Sequence, residues 1–132
     1  MAVEDSLKHI LIVDDDPIQL EYYIAVLEHE YQIMTANDIG EAIDMLTDVA
    51  RVDALICDLH LGFAHSGVDL LAWVETHRPE LMNHSVIISG DVVVDSESFA
   101  VPVVFKPLEP ALLTQSVQQL LMPTASHFRL RG

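Results

Sequence analysis

The chain has 132 residues, enough for one hydrophobic core and too few for two, so a single domain is expected. Apolar residues make up 51%, yet no unbroken apolar run approaches the roughly 20 residues that span a bilayer, and the acidic start Met1-Ala2-Val3-Glu4-Asp5 lacks the basic opening of a secretory signal, so a cytoplasmic location is expected. Twenty-one acids against six bases give a formal charge of −15, which repels phosphate backbones and argues against nucleic acid as a partner, leaving cations and basic protein surfaces.

Short runs of branched apolar residues alternate with longer stretches of helical spacing. His9-Ile10-Leu11-Ile12-Val13 is apolar on both faces, as a strand inside a covered parallel sheet must be. Three acids follow, Asp14, Asp15 and Asp16, the last an N-cap with Pro17 at the first helical position and Leu20, Ile24 and Leu27 recurring on one face. A second run, Tyr31 to Thr35, precedes a capping-box pair, Asp38 and Glu41, and a helix with Ile39, Ala42, Ile43, Leu46 and Val49 on its apolar side. The third run, Ala54 to Cys57, ends on Asp58, and its lone Cys57 reads as a small buried side chain.

Ser66-Gly67 opens a third helix, with Leu70, Leu71 and Val74 inward and Trp73 as core, and Arg78-Pro79 stops it. Val86-Ile87-Ile88 runs into Ser89, and Val101 to Phe105 runs into Lys106-Pro107. A last helix starts near Pro110, buries Leu113, Val117, Leu120 and Leu121, and ends before Pro123. The domain is therefore expected over 1–123, with 124–132 a tail or linker stub.

Strand and helix alternating in this way predict a doubly wound α/β fold of three layers with right-handed crossovers. Such folds bind ligands at the carboxyl ends of the strands, where the strand order reverses. Asp14, Asp15, Asp58, Ser89 and Lys106 all stand at those ends. If the first and third strands are neighbours, three carboxylates crowd one cavity, and protons or a cation must relieve them. A few hard oxygen ligands suit Mg²⁺, Lys106 adds a compact positive charge, and Ser89 adds a hydroxyl donor. Phosphoryl transfer to a carboxylate needs such a set, because the protein mainly positions reactants and supplies charge and donors around the spread negative charge.

The motifs Ile-Val-Asp-Asp-Asp-Pro, Ile-Cys-Asp-Leu, Ile-Ile-Ser-Gly and Phe-Lys-Pro, in that order between Ile10 and Leu121, resemble the response-regulator receiver domains of two-component signalling. The resemblance implies a flavodoxin-like five-stranded parallel sheet of (βα)5 plan, with Asp58 as phosphoacceptor. It also implies Mg²⁺ bound by the carboxylates of Asp15 and Asp58 and the backbone carbonyl of His60, with Asp14 acting largely through bound water. Ser89 and Lys106 would bind the phosphoryl group, and Lys106-Pro107 would be a cis bond. The donor would be a phosphohistidine on a histidine kinase or a histidine phosphotransfer protein. The domain would then be no enzyme beyond its own phosphorylation and dephosphorylation.

Several positions depart from the family pattern. Val103 stands where many members carry an aromatic switch residue that moves with the hydroxyl residue, here Ser89. Asp95-Ser96-Glu97-Ser98 predicts a shortened fourth helix of about one turn. Together with Ser-Gly-Asp at 89–91, that segment is similar to receivers attached to hybrid histidine kinases. Gly62 replaces a proline, and His60 reads as a solvated loop histidine or as a gate on water reaching an acyl phosphate. Two other readings stay open: a degenerate receiver serving as a binding scaffold, and a haloacid-dehalogenase-type phosphatase built on Asp14-x-Asp16. The second lacks acids after Lys106 other than Glu109.

Overall fold

The computed structural model describes residues 7–48, 51–62, 66–90 and 98–122. In chain order the elements are β1 (His9–Val13), α1 (Pro17–Leu27), β2 (Gln32–Ala36), α2 (Ile39–Asp48), β3 (Ala54–Asp58), α3 (Gly67–His77), a 3-10 stretch (Pro79–His84), β4 (Ser85–Ser89), β5 (Val103–Phe105) and α4 (Pro110–Leu120). The strands form one sheet in the order β2-β1-β3-β4-β5 with every pairing parallel, which is the doubly wound plan expected. The order reverses between β1 and β3, so the crevice of the fold opens where those two strands end.

Alternation along the strands divides the interior into two cores. Leu11, Val13, Leu55, Cys57 and Ile87 face one way and pack with Ala42 and Leu46 of α2 and Leu70, Leu71 and Val74 of α3. Ile10, Ile12, Ile56, Val86 and Ile88 face the other way and pack with Leu20, Tyr23 and Leu27 of α1 and Leu113, Val117 and Leu120 of α4. Both faces of the central strands are thus covered, which explains why their sequences are apolar throughout.

The helix ends follow their chemistry. Asp16 caps α1 by accepting from the Ile18 N–H at 2.9 Å, ahead of Pro17. Ser66 caps α3 by accepting from Val68, while Asp69 returns the bond to the Ser66 N–H at 3.0 Å. Trp73 is half-buried against the α2/α3 core and stacks on His77 at 4.4 Å.

Some boundaries differ from those read off the sequence. β2 is shifted by one residue and reaches Ala36, whose carbonyl accepts from the Asp14 N–H at 3.1 Å. β3 and β4 extend through Asp58 and Ser89, so both belong to strands rather than to loops. β5 begins only at Val103, although the Pro102 carbonyl still accepts from Ile87 at 3.0 Å. On α1 the buried residues are Leu20, Tyr23 and Leu27, with Ile24 only half-buried, because the helix turns its tyrosine under the strand ends. Val49, the segment 91–97 that holds most of the expected fourth helix, and 123–132 with the expected tail lie outside the described residues.

One close approach ties α3 to the end of β3. A Cβ on Gly67 would stand 2.7 Å from the Asp58 carbonyl oxygen and 2.8 Å from Ile87 Cδ1, and the first of these is backbone that cannot swing aside. Gly67→Ala is therefore expected to destabilise the domain by about 1–3 kcal/mol in urea denaturation, as overpacking does. Gly40→Ala, on the exposed side of α2 with its nearest contact at 3.4 Å, should be neutral or stabilising by less than about 1 kcal/mol. Equal effects at the two positions would contradict the close-packing account.

Candidate functional site

Strand register brings the polar residues together. Val13 pairs with Cys57, so the next residues, Asp14 and Asp58, emerge side by side from adjacent strands. Asp58 lies opposite Ile88, which puts Ser89 one step further out, and Ser89 lies opposite Phe105, which puts Lys106 one step beyond that. Asp14, Asp58 and Lys106 continue the alternation of Ile12, Ile56 and Val104, on the side of α1 and α4. Ser89 continues that of Ile87.

Burial makes the arrangement costly. Asp14 is 1% exposed, Asp58 7% and Ser89 0%, while Asp15 stands exposed at the mouth. One carboxylate oxygen from each of Asp14, Asp15 and Asp58 can be chosen so that all lie within 4.8 Å of one another. Lys106 Nζ is 2.9 Å from Asp58 Oδ1 and 4.0 Å from Asp14 Oδ2. The other Asp58 oxygen accepts from the His60 N–H at 3.2 Å.

Asp14 Oδ1 accepts from the Asp16 N–H at 2.9 Å, but Oδ2 is buried with no hydrogen-bond partner among the described residues. Burial pushes the Asp14 carboxyl up to about 6, the Asp16 N–H opposes that, and the Asp58 charge adds to it. Burial alone would lower the Lys106 ammonium. Its hydrogen bond to Asp58 and the charges of Asp58 and Asp14 outweigh burial and hold its pKa above the ordinary lysine value. The pocket thus has an all-oxygen donor set, a buried carboxylate oxygen that accepts no hydrogen bond from the described residues, and an ammonium fixed on Asp58, which is chemistry that fits a small hard cation.

Each sequence-predicted residue has a definite place. The Lys106-Pro107 bond is cis. Val103 is half-buried against the α2/α3 core, so an aliphatic side chain occupies the position where the resemblance leads one to expect an aromatic residue. His60 is exposed, and its backbone rather than its ring touches Asp58. Cys57 is fully buried on the opposite face from the carboxylates, and burial raises its thiol pKa, so it is packing and not a ligand. Sequence reading did not single out Gly67, whose backbone abuts the Asp58 carbonyl, or Tyr22, whose hydroxyl bonds the loop after Lys106. Gly67 carried only a helix-start signal, and Tyr22 carried none.

Residues 10–118 match the family profile described as response regulator receiver domain. A curated protein, the cyclic di-GMP phosphodiesterase RocR of Pseudomonas aeruginosa, is 33% identical over 86 residues, covering 64% of this chain and 21% of RocR. The chain therefore spans about a fifth of the length of that relative. A CheY-like receiver domain protein from Methanospirillum hungatei superposes with a TM-score of 0.79 at 26% identity, covering 92% of this chain and 99% of the other. The response regulator TrrA of Thermotoga maritima, solved in complex with Mg²⁺ and BeF, gives a TM-score of 0.75 at 25% identity over 87% of this chain and 100% of the other. Among the described residues no helix is long and apolar enough to cross a membrane.

The raised Asp14 carboxyl has a direct consequence for stability. Its folded value of about 6 lies above the ordinary 3.8, so the native state holds this proton more tightly than the unfolded chain does. Its contribution is fully present below about pH 4 and is lost as pH rises through about 6. In a chelator, Asp14→Asn should remove that slope and exceed the parent in stability by about 1–3 kcal/mol at pH 7 to 8, while matching it near pH 4. Urea midpoints across that range check it, and parallel pH curves for the two proteins would contradict it.

Proposed function

This chain belongs to the response regulator receiver domain family, and we propose that Asp58 is its phosphoacceptor, taking a phosphoryl group from a phosphohistidine on a histidine kinase or histidine phosphotransfer protein. The observation that carries this reading is the convergence of three carboxylates within 4.8 Å beside an ammonium 2.9 Å from Asp58. Asp14, Asp15, Asp58 and the backbone carbonyl of His60 would hold Mg²⁺, which would supply positive charge to the phosphoryl oxygens. The complex of the similar Thermotoga protein with Mg²⁺ and BeF supports the same ion here.

In the transfer, the Asp58 carboxylate attacks phosphorus, a P–O bond forms, and the P–N bond breaks with its electron pair passing to the imidazole nitrogen. Lys106 keeps its proton throughout, so its ammonium exchanges the Asp58 oxygen for a phosphoryl oxygen. Ser89, at the end of β4, supplies the hydroxyl donor to another. His60 keeps the Asp58 side chain oriented through its backbone N–H. The domain's own chemistry ends with the gain and loss of this group. The phosphodiesterase activity in the name of RocR belongs to that protein, of which the matched part is a small share.

The phosphatase alternative meets a specific obstacle. It would need Asp16 as a free acid in the site, whereas Asp16 points its carboxylate to the Ile18 N–H as a helix cap. The scaffold alternative leaves the buried Asp14 carboxylate and the crowded charges without a purpose.

Incubation with Mg²⁺ and acetyl phosphate should add one labile phosphoryl group by intact mass, and a chelator should prevent it. Asp58→Asn should abolish the adduct. Lys106→Ala should slow its formation by about 100- to 1,000-fold, the range for loss of one charge-stabilising donor. A parent protein that stays unmodified, or an adduct that survives Asp58→Asn, would sink the proposal.

A further inference from the structure

Lys106 has a long flexible side chain, and aiming its ammonium requires a fixed backbone beneath it. Its supporting strand is poor for that purpose, because β5 has three residues and lies at the sheet edge. On the strand side, the Lys106 N–H donates to the Ser89 carbonyl at 2.8 Å. On the other side comes exposed Pro107, which has no N–H to donate, and then Leu108. The Leu108 carbonyl accepts from the Tyr22 hydroxyl of α1 at 2.5 Å, across 86 residues of sequence. The Leu108 side chain is buried in the α1/α4 core, which fixes the loop at the same point.

Tyr22 is itself held. Its ring is half-buried and tilts against the Tyr23 ring at 5.8 Å, and Tyr23 is 1% exposed. A groove of about 590 Å³ runs alongside, lined among others by Gln19, Tyr22, Tyr23, Lys106, Pro107 and Leu108. That groove gives the loop room to shift once the hydroxyl no longer holds the Leu108 carbonyl. The contact between α1 and α4 does not depend on this bond, since Leu20, Leu113 and Val117 pack there independently.

We propose that Tyr22 is a positioning residue for Lys106, its hydroxyl clamping the loop after the lysine to α1 so that the ammonium stays on the phosphoacceptor. The proposal rests on the reading of Asp58 given above. It predicts an effect that runs through Lys106 and leaves the acid cluster intact.

The test compares the parent, Tyr22→Phe, Lys106→Ala and the double variant, all with folding checked by urea denaturation. Hydrogen exchange should show the Lys106 amide opening roughly threefold to tenfold faster in Tyr22→Phe, the range set by loss of one hydrogen bond, with the amides of β1 and β3 unchanged. Phosphorylation by acetyl phosphate with Mg²⁺ should slow by roughly the same factor in Tyr22→Phe, and Tyr22→Phe should add nothing in the Lys106→Ala background. Unchanged exchange at Lys106 overturns the clamp whatever the phosphorylation rate. Equal losses in both backgrounds also overturn it, because the hydroxyl would then act other than through the lysine. A parent protein that takes no phosphoryl group overturns the phosphoacceptor reading and the positioning role with it, and the exchange result distinguishes that failure from failure of the clamp.

Discussion

The structure depends on one electrostatic constraint: parallel register places Asp14 and Asp58 side by side at the ends of two buried strands. Like charges at that spacing repel, and little water reaches them to screen the repulsion. Lys106 relieves part of it by sitting on Asp58, yet Asp14 Oδ2, 4.0 Å from the same ammonium, has no hydrogen-bond partner among the described residues. A proton or a bound cation would relieve the repulsion that remains. Stability and ligand affinity are linked there by the same buried charge.

The sheet confines that cost to one end. Below the acids, alternation sends side chains into two apolar cores, one under α1 and α4 and one under α2 and α3. Nothing in those cores needs the chemistry above them, so the strands can be selected for packing and their last residues for function. Cys57 illustrates the division. It stands next to Asp58 in sequence, but alternation turns it into the α2/α3 core, where it is fully buried and inert.

Much of this was legible in the chain because the relevant signals are local. Runs such as His9 to Val13 announce buried parallel strands, and Asp16-Pro17 and Ser66 announce helix starts, as the caps on Ile18 and Val68 bear out. The grouping of Asp14, Asp15, Asp58 and Lys106 followed from the motif order, since a doubly wound sheet brings strand ends together. What sequence could not supply were contacts that depend on distance in space alone. The periodicity of α1 favoured Ile24, but the helix is rotated so that Tyr23 is buried and Tyr22 reaches Leu108. Gly67 looked like any residue at a helix start, and only the approach of α3 to the Asp58 carbonyl explains why it has no side chain.

Asp58 is also where the two layers meet. Its carboxylate faces the α1/α4 side and holds Lys106, whose loop is tied to α1 through Leu108. Its carbonyl faces the other way: the Cys57 thiol donates to it at 3.3 Å, and the start of α3 lies against it at Gly67. Any shift of the Asp58 backbone would therefore press on the start of α3, since packed interiors respond by discrete shifts rather than smooth deformation. With an aliphatic Val103 in the α2/α3 core, no large ring stands at that position to take up such a shift. Contacts therefore lead from Asp58 through its own backbone to α3, and through Lys106 and Leu108 to α1.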